Sequence, residues 1–258
     1  MALHMQPAGA GDGASTATSE PGGFARNVIA MLDRTEYRRC DTGEDLENVF
    51  RLRYQAYRLS DLVPENPESK VCDEYDDLPN CQIFGIYVDG RLVSTLRLHS
   101  VSAKTPWSPT MSVYSDILEP RLAAGDSFID PSRFAVDVEA SRIYPQIPYL
   151  TLRLAGMACF HFNAPYCISM IREDHAAFYK RIYKARPIGE ARPYAGVINC
   201  FALLYQADVL AIKEETYARF PFFKSTPLER RLLFSRPARG ELPALTVLPT
   251  AKYYSDAA

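Results

Sequence analysis

Residues 82–100 are QIFGIYVDGRLVSTLRLHS, and they carry the clearest structural signal in the chain. Two runs rich in β-branched and aromatic residues flank Asp89 and Gly90. An Asp-Gly pair favours the positive φ angles of a two-residue hairpin turn. We therefore predict an antiparallel β-hairpin over these residues.

Segments with helical or strand-like patterns extend on both sides of this hairpin. Apolar residues at helical spacing predict helices over residues 24–34 and from Asp41 to Pro64. After the hairpin we predict, in order, a loop at 104–109, a strand at 127–138, a helix at 148–162, a strand at 165–171, a helix at 173–185 and a strand at 196–206. Pro131 cannot donate to a neighbouring strand, so the strand at 127–138 is expected to bulge or splay there. This order predicts a mixed α/β sheet covered by helices.

The composition excludes several classes of protein. The chain has 258 residues, of which 47% are hydrophobic and 23% are charged, and its net charge is −2. This is the composition of an ordinary globular protein, without the overall basic charge that binds nucleic acid. No apolar run reaches the ~18–20 residues of a membrane span, and the first residues lack the features of a signal peptide. No Gly-rich phosphate-binding loop is present in the sequence.

Cysteine and histidine spacing argues against a metal site. The six cysteines are scattered without a CxxC pair, and the four histidines show no HxH or HExxH spacing. We therefore predict that no metal is bound. Because a chain of this size does not need disulfides, we also predict a cytoplasmic location.

Several segments resemble two related enzyme families. Four of them, in this order, resemble a run shared by acyl-homoserine-lactone synthases and FeeM-type long-chain N-acyl amino acid synthases: FRLRYQAY (50–57), CDEYDDLPN (72–80), VDGRLVSTLRL (88–98) and IDPSRFAV (129–136). The later run HAAFYKRIYKARPIGEARPYAGVINCFALLYQ (175–206) is similar to the second family only. The resemblance covers roughly residues 44–206. It implies the Gcn5-related N-acyltransferase fold, an α/β fold with a mixed, mostly antiparallel central sheet, a splayed strand and flanking helices.

The resemblance also implies an activity. An enzyme of the second family moves a long acyl chain from the thioester of acyl carrier protein to the α-amine of an amino acid. The product is an N-acyl amino acid, a bacterial signalling lipid. Two other enzymes remain as alternatives, an acyl-homoserine-lactone synthase that uses S-adenosylmethionine and a coenzyme-A-dependent N-acetyltransferase. A non-catalytic module that binds lipid or carrier protein is a further alternative, and it would not need Asp130 or Arg133.

The acyl donor is predicted from the segment DVEASRIYPQIP (137–148). An enzyme that grips coenzyme A needs backbone N–H groups around the pyrophosphate, usually from a glycine-rich turn at a helix N-terminus. This segment contains no glycine, although a side chain such as Arg142 could bind a pyrophosphate instead. The phosphopantetheine arm of acyl carrier protein has one phosphodiester and needs no such turn. We therefore expect acyl-phosphopantetheine as the donor, rather than a coenzyme A thioester, and no bound cofactor.

Three residues are candidates for catalysis. Asp130 occupies the acidic position of a motif that the homoserine-lactone enzymes share, and we expect it to accept a proton from the amine. The alternative is that it caps a turn before Pro131. Ser132 is expected to donate to the thioester oxygen or the leaving sulfur, unless it is structural. Tyr179 matches a tyrosine acid of the wider fold and is expected to protonate the thiolate, unless it belongs to the core.

Charged residues on apolar segments predict an amino acid binding site. Arg97 and Arg133 alternate with apolar neighbours, so each is expected to face a covered side of the sheet, where a charge must be paired or bind a ligand. Both are candidates to bind the substrate carboxylate, and Arg53 is a third. The alternatives are an ion pair with Asp73 or Asp76, or plain exposure on the open face of the sheet. In the resembling families these acids and arginines form one network at the mouth of the active site.

Positive charge is concentrated in the C-terminal half of the chain. We expect it to form a docking surface for an acidic carrier protein, with Lys180, Arg181, Lys184, Arg230 and Arg231 as candidates. The alternative is a solvated surface without a partner. The segment FPFFK (220–224) is a candidate wall or lid for the acyl chain, unless it belongs to the core.

Together these observations predict one enzyme domain with two flanking segments. Residues 1–23 are predicted to be a disordered tail or a cloning remnant. Residues 24–208 are predicted to be the acyltransferase domain, and residues 209–258 a helical extension packed on it. The predicted partners are acyl carrier protein and an amino acid, with no nucleic acid and no membrane span. Peripheral membrane association through the lipid product is left open.

Overall fold

The computed structural model describes residues 22–194, 197–198, 200–236 and 246–251. The helices in these ranges are α1 (Gly23–Leu32), α2 (Gly43–Arg58), α3 (Pro109–Ala123), α4 (Val138–Ile143), α5 (Ile147–Phe162), α6 (Ala176–Tyr183), α7 (Lys213–Arg219) and α8 (Pro227–Phe234). The strands are β1 (Thr35–Arg39), β2 (Cys81–Val88), β3 (Arg91–Val101), β4 (Phe128–Val136), β5 (Tyr166–Ile171), β6 (Arg186–Pro187), β7 (Arg192–Pro193) and β8 (Phe201–Asp208). The predicted tail at 1–23 lies outside the described residues except for Gly22 and Gly23.

The described strands form one mixed sheet. Its order is β1-β2-β3-β4-β5-β8-β6, with β7 paired to β8. The predicted hairpin is confirmed, because β2 and β3 pair antiparallel and the turn residues Asp89 and Gly90 have φ angles of 49° and 77°. Only the β4–β5 pair is parallel among the pairs of this described sheet. The sheet is therefore mostly antiparallel, as predicted.

The strand β4 is irregular at two places. It pairs with β5 only at Phe128 and Ile129, so the two strands separate where Pro131 removes a backbone donor. This confirms the predicted splay. The bulge, in contrast, lies beyond Pro131, because Pro131 still pairs with Leu98 while Arg133 adopts a φ of 51° at the register shift with β3. A left-handed residue of this kind is typical of a bulge that bends the strand and turns a side chain.

The helix α5 joins the sheet to the C-terminal segment. It packs against β3 and β4 on one side and α8 on the other. Arg153 of α5 and Glu229 of α8 form an ion pair in which both side chains are fully buried, with Arg153 Nη2 at 3.0 Å from Glu229 Oε2. The N–H of Thr250 also donates to Glu229 at 3.1 Å. A buried charge pair of this kind is costly unless its hydrogen bonds are satisfied, and here the last described residues help to satisfy it.

The C-terminal segment also reaches the edge of the sheet. The N–H of Tyr37 in β1 donates to the carbonyl of Val247 at 2.9 Å, and the N–H of Val247 donates back to Tyr37 at 2.9 Å. The hydroxyl of Tyr37 donates to the carbonyl of Leu150 in α5 at 2.8 Å. Tyr37 thus connects the edge strand with both the C-terminal segment and the main helix.

Several described elements differ from the sequence-based expectation. β1, α3, α4, β6 and β7 were not predicted, and α3 begins at Pro109, the last residue of the predicted loop at 104–109. This helix is capped by Ser108, whose hydroxyl accepts from Met111 N–H at 3.2 Å, and it is kinked at Tyr114 (φ −125°) with Pro120 near its end. The strand predicted at 196–206 is observed at Phe201–Asp208, and residues 195, 196 and 199 lie outside the described ranges.

Candidate active site

The separation of β4 and β5 opens a cavity of about 830 Å³. Its walls come from β4 between Pro131 and Val136, from β5, from the end of α2 and from the start of α6. Because the splay leaves a gap in an otherwise continuous sheet, a ligand can reach the interior here without displacing core side chains. The main cavity is therefore the candidate active site.

A small apolar cavity, here called the apolar channel, adjoins the main cavity. Its volume is about 30 Å³, and it shares the lining residues Pro131, Leu152, Ser169, Ile171 and Tyr179 with the main cavity. The remaining walls come from α5, α6 and β8 and are mostly small or apolar. The site thus has a wide part with both polar and apolar walls and a small, almost entirely apolar part.

An ionic network lies beside the main cavity. Asp73 pairs with Arg97 and also accepts from Arg133, whose Nε is 3.1 Å away. Asp76 accepts from Arg53 Nη1 at 2.9 Å and lies 3.1 Å from Arg97 Nη1. The guanidinium side chains are fully buried at Arg53 and Arg97 and 4% exposed at Arg133. The ion pairs with the acidic segment, which were the alternative to carboxylate binding, are therefore present.

The charge of Asp73 is held in place by its partners. Burial alone would raise the pKa of Asp73, but the guanidinium groups of Arg97 and Arg133 outweigh that effect and lower the pKa to about 2. The carboxylate therefore stays ionised at neutral pH. It can fix the orientation of both guanidinium groups at once.

Only one of the three candidate arginines lines the main cavity. Arg133 does, because its left-handed backbone turns it out of the strand alternation, whereas Arg53 and Arg97 lie behind the wall. The Nη1 atom of Arg133 is buried and has no hydrogen-bond partner among the described residues. Its guanidinium lies 5.7 Å from the ring centre of Tyr57. Arg133 therefore lines the cavity and has a buried donor without a partner among the described residues.

The candidate base Asp130 is fully buried behind the cavity wall. Its carboxylate accepts from the Thr110 hydroxyl at 2.7 Å and from the Thr110 N–H at 3.1 Å, and it is Thr110 that lines the cavity. Burial raises the pKa of Asp130, while hydrogen bonds from Ser108 and Thr110 act in the opposite direction. To accept a proton from a ligand in the cavity, Asp130 must therefore act through the Thr110 hydroxyl or a water molecule.

His99 lies opposite Asp130 in the β3–β4 register. Its Nε2 is 2.9 Å from the carbonyl oxygen of Tyr75, and its Nδ1 has no partner among the described residues. Burial, together with the nearby charge of Arg97, lowers the pKa of His99 to about 4. The ring is therefore neutral at physiological pH, and its N–H is at Nε2.

The other two catalytic candidates line the main cavity. The hydroxyl oxygen of Ser132 accepts from Arg97 Nε at 3.0 Å, so its own hydrogen is free to point into the cavity. Tyr179 lies where the main cavity meets the apolar channel. Burial raises the pKa of Tyr179, which keeps its hydroxyl protonated at neutral pH. Both can therefore act as proton donors to a ligand.

Among the other residues that line the cavity, Tyr57, Thr110 and Tyr194 were not predicted as site residues. Tyr57 lies in the predicted second helix, and Thr110 lies in the first turn of α3, which was not predicted. Tyr194 belongs to the RPY sequence at 192–194, which served only to identify the family. Burial raises the pKa of Tyr194 even though the charge of Arg133 acts to lower it.

The proposed docking residues lie on α6 and α8. Lys180, Arg181 and Lys184 are exposed on α6, and Arg231 is exposed on α8, while Arg230 is half-buried. Lys184 pairs with Glu215 of α7 at 2.5 Å. The Arg230 guanidinium lies 5.9 Å from the ring centre of Phe160, and Lys213 of α7 lies 6.0 Å from the same ring. α7 thus connects the two sets of basic residues.

The aromatic segment 220–224 belongs to the core rather than to the acyl site. Phe222 and Phe223 are buried and pack against each other and against Tyr149 and Tyr183. Neither phenylalanine lines the main cavity or the apolar channel. The core alternative is therefore correct for this segment.

The described ranges contain neither a membrane-spanning helix nor a cluster of metal ligands. No helix there is both long and apolar enough to cross a bilayer. No group of three or more His, Cys, Asp or Glu side chains in the same ranges is arranged to hold a metal ion.

Known proteins support the fold and the family. The family model for the N-acyl amino acid synthase FeeM matches residues 48–208, which is more than half of the chain. The structure of FeeM, an N-acyl amino acid synthase from uncultured soil microbes, is 18% identical with a TM-score of 0.58, and the match covers 72% of this chain and 97% of that chain. No curated protein sequence matches.

A second solved structure is also similar. BjaI, a CoA-dependent acyl-homoserine lactone synthase solved with MTA, is 18% identical with a TM-score of 0.50. The match covers 69% of this chain and 82% of that chain. These structural matches confirm the predicted fold, a mostly antiparallel open sheet of the N-acyltransferase type with flanking helices.

Proposed function

The chain belongs to the FeeM family of N-acyl amino acid synthases and is an acyltransferase, and we propose that it moves a long acyl chain from acyl carrier protein to the α-amine of an amino acid. The observation that carries the proposal is the unpartnered, buried Nη1 of Arg133 in the wall of the main cavity. A guanidinium donor that is left open in this way suits a carboxylate. In this proposal Arg133 binds the carboxylate of the amino acid, and Arg97 and Arg53 support it through Asp73 and Asp76.

The division of the site into a wide and a narrow part supports a long acyl chain. The reacting groups would meet in the main cavity, where Ser132, Arg133 and Tyr179 lie together. The alkyl chain would extend into the apolar channel between α5, α6 and β8. Burial of methylene groups there is favourable by about 0.8 kcal/mol each, which rewards a long chain over a short one.

The chemistry forms an amide N–C bond and breaks the thioester C–S bond. The amine must be neutral to attack, so its proton goes to Asp130 through the Thr110 hydroxyl or a water. The Ser132 hydroxyl donates to the oxygen that becomes negative in the transition state. Tyr179 gives a proton to the departing thiolate. In this scheme Asp130 is the base, Ser132 stabilises the oxyanion and Tyr179 is the acid.

The proposed donor is the phosphopantetheine thioester of acyl carrier protein. The exposed basic residues on α6 and α8 are the proposed contact with its acidic surface. The segment 137–148 has no glycine to bind the pyrophosphate of coenzyme A, which supports the same donor. We propose a cytoplasmic location, because the donor is a soluble protein, with membrane contact limited to the lipid product.

Mass spectrometry of a defined reaction tests the proposal. Purified protein is incubated with long-chain acyl carrier protein or acyl coenzyme A and a mixture of amino acids. We expect N-acyl amino acids, formed faster from the carrier protein. An acyl-homoserine lactone formed from S-adenosylmethionine, or acetylation from acetyl coenzyme A alone, would overturn the proposal in favour of the corresponding enzyme.

Two variants test the roles of the residues. Arg133→Met should raise the KM for the amino acid about 10–100-fold, because a charged hydrogen bond to the substrate is lost. Arg34→Met, which breaks an exposed ion pair with Asp89, is the matched control. Asp130→Asn should lower kcat about 10²–10⁴-fold, as expected for loss of a general base. Unchanged kinetics in both variants would overturn these residue roles, and no acyl transfer by the wild type with any donor would favour a non-catalytic binding module.

A further inference from the structure

Gly156 lies in the middle of α5, where its neighbours are buried. All residues of α5 from Tyr149 to Cys159 are buried except Gly156. It lines the apolar channel together with Leu152 and Ala155 of the same helix. The exposed part of Gly156 therefore lies at the wall of the apolar channel.

Neither the backbone nor the packing at this position requires glycine. The residue has ordinary helical geometry, and a Cβ built on it would meet nothing within 4 Å. Gly85 in β2 is different, because a Cβ there would lie 2.8 Å from Tyr87 Cε2. Glycine inside a helix is unfavourable relative to alanine, since it loses more backbone freedom on folding. At Gly156 this cost has no structural compensation among the described residues.

We propose that the missing side chain of Gly156 keeps the apolar channel open for the far end of the acyl chain, and so sets the longest chain accepted. This inference rests on the proposed function. Ala185, just after α6, and Ala207 of β8 line the same channel, so small side chains contribute to its wall beside larger ones such as Tyr183. The channel is narrow, and one added methyl group therefore takes up a substantial part of its width.

The expected effect follows from the fit of single methylene groups. When one methylene group no longer fits an apolar pocket, the ratio of the kcat/KM values for two substrates changes by about 10–200-fold. Gly156→Ala should therefore shift the preferred acyl length downward, and Gly156→Leu should shift it further. Short acyl donors that do not reach Gly156 should react with unchanged kcat/KM. A variant that only damaged the fold would instead lose activity with every donor.

The test is a competition among acyl donors of different lengths, read by mass spectrometry, for wild type, Gly156→Ala and Gly156→Leu. Gly23→Ala and Gly23→Leu are the controls, because Gly23 begins α1 and lines none of the cavities. We expect the ratio of longest to shorter products to fall at least about 10-fold in Gly156→Leu. We also expect Gly156→Ala to raise Tm by a few degrees, because alanine favours the helix.

A second readout does not depend on the reaction. Free fatty acids of increasing length are added, and the rise in Tm is measured. Long fatty acids should stabilise wild type and the Gly23 variants but not Gly156→Leu, while shorter ones stabilise all of them. Equal responses to every length in all variants would overturn the inference even if wild type makes N-acyl amino acids. Length-dependent binding without any acyl transfer would instead uphold the inference and overturn only the proposed function.

Discussion

The Asp73 carboxylate provides a quantitative test of the ionic network. It is 15% exposed and accepts from two guanidinium groups, those of Arg97 and Arg133. The change Asp73→Asn keeps the shape of the side chain but removes its charge. Two buried cations then lose one counter-charge, and loss of one partner of a buried pair costs about 3–5 kcal/mol.

Part of this loss of stability depends on pH, and the size of the pH-dependent part follows from the pKa of Asp73. That pKa is lowered from 3.8 to about 2 in the folded protein, which corresponds to about 2 kcal/mol of stability. Because the folded pKa lies below the unfolded one, this stabilisation is present above pH 4 and is lost as the pH falls towards 2. At pH 3 about 1 kcal/mol of the stabilisation from the ionised Asp73 carboxylate should be lost.

Urea unfolding of wild type and Asp73→Asn at pH 6, 4 and 3 measures this pH-dependent contribution to the free energy of unfolding. The difference in unfolding free energy between the two proteins should narrow by about 1 kcal/mol from pH 6 to pH 3. Asp89→Asn is the control, because Asp89 is 52% exposed in its pair with Arg34, and an exposed pair contributes little. A difference for Asp73→Asn that does not change with pH would refute the assignment of the low pKa to this carboxylate.

Three further predictions follow from other parts of the molecule. Glu229→Gln should destabilise the protein by about 3–5 kcal/mol in urea unfolding, because Arg153 loses its buried partner. Glu214→Gln is the control and should have almost no effect, because the Glu214 side chain is 86% exposed. Equal stability of the two variants would contradict the proposal that residues 209–258 are packed on the acyltransferase domain. Gly85→Ala should destabilise by about 1–3 kcal/mol in the same assay, since the added Cβ would crowd Tyr87, and a neutral result would show that the strand has more room than described. Thr110→Val should lower kcat about 10–100-fold with little change in KM, because the Asp130 carboxylate loses a hydrogen bond. Thr110→Ser keeps the hydroxyl and should retain most of the activity. Equal kcat values for the two variants would exclude a role for the hydroxyl.

Features that depend on local sequence were predicted well. The hairpin follows from Asp89-Gly90 because the turn preference is a property of two adjacent residues. The ion pairs of Arg97 and Arg133 with Asp73 were foreseen only as an alternative to substrate binding, because a buried charge needs a partner of either kind. The splay at Pro131 follows from a missing backbone donor.

Features that depend on how elements meet were not predictable in the same way. The helix α3 has two prolines and a kink at Tyr114, so its sequence lacks a clean helical period. The position of Asp130 behind Thr110 depends on where that helix packs, which the sequence of β4 does not contain. Gly156 carries no local signal at all, because its role depends on empty space created by other elements.

The contact between Tyr37 and Val247 has a consequence for how the protein behaves at high concentration. A free sheet edge offers unpaired backbone groups on which a strand from another molecule can add. At the β1 edge, the backbone N–H and carbonyl of Tyr37 are already used by Val247. At the opposite edge of the described sheet, β6 has only two residues, and one of them is Pro187. Both borders of this sheet are therefore poor templates for edge-to-edge aggregation.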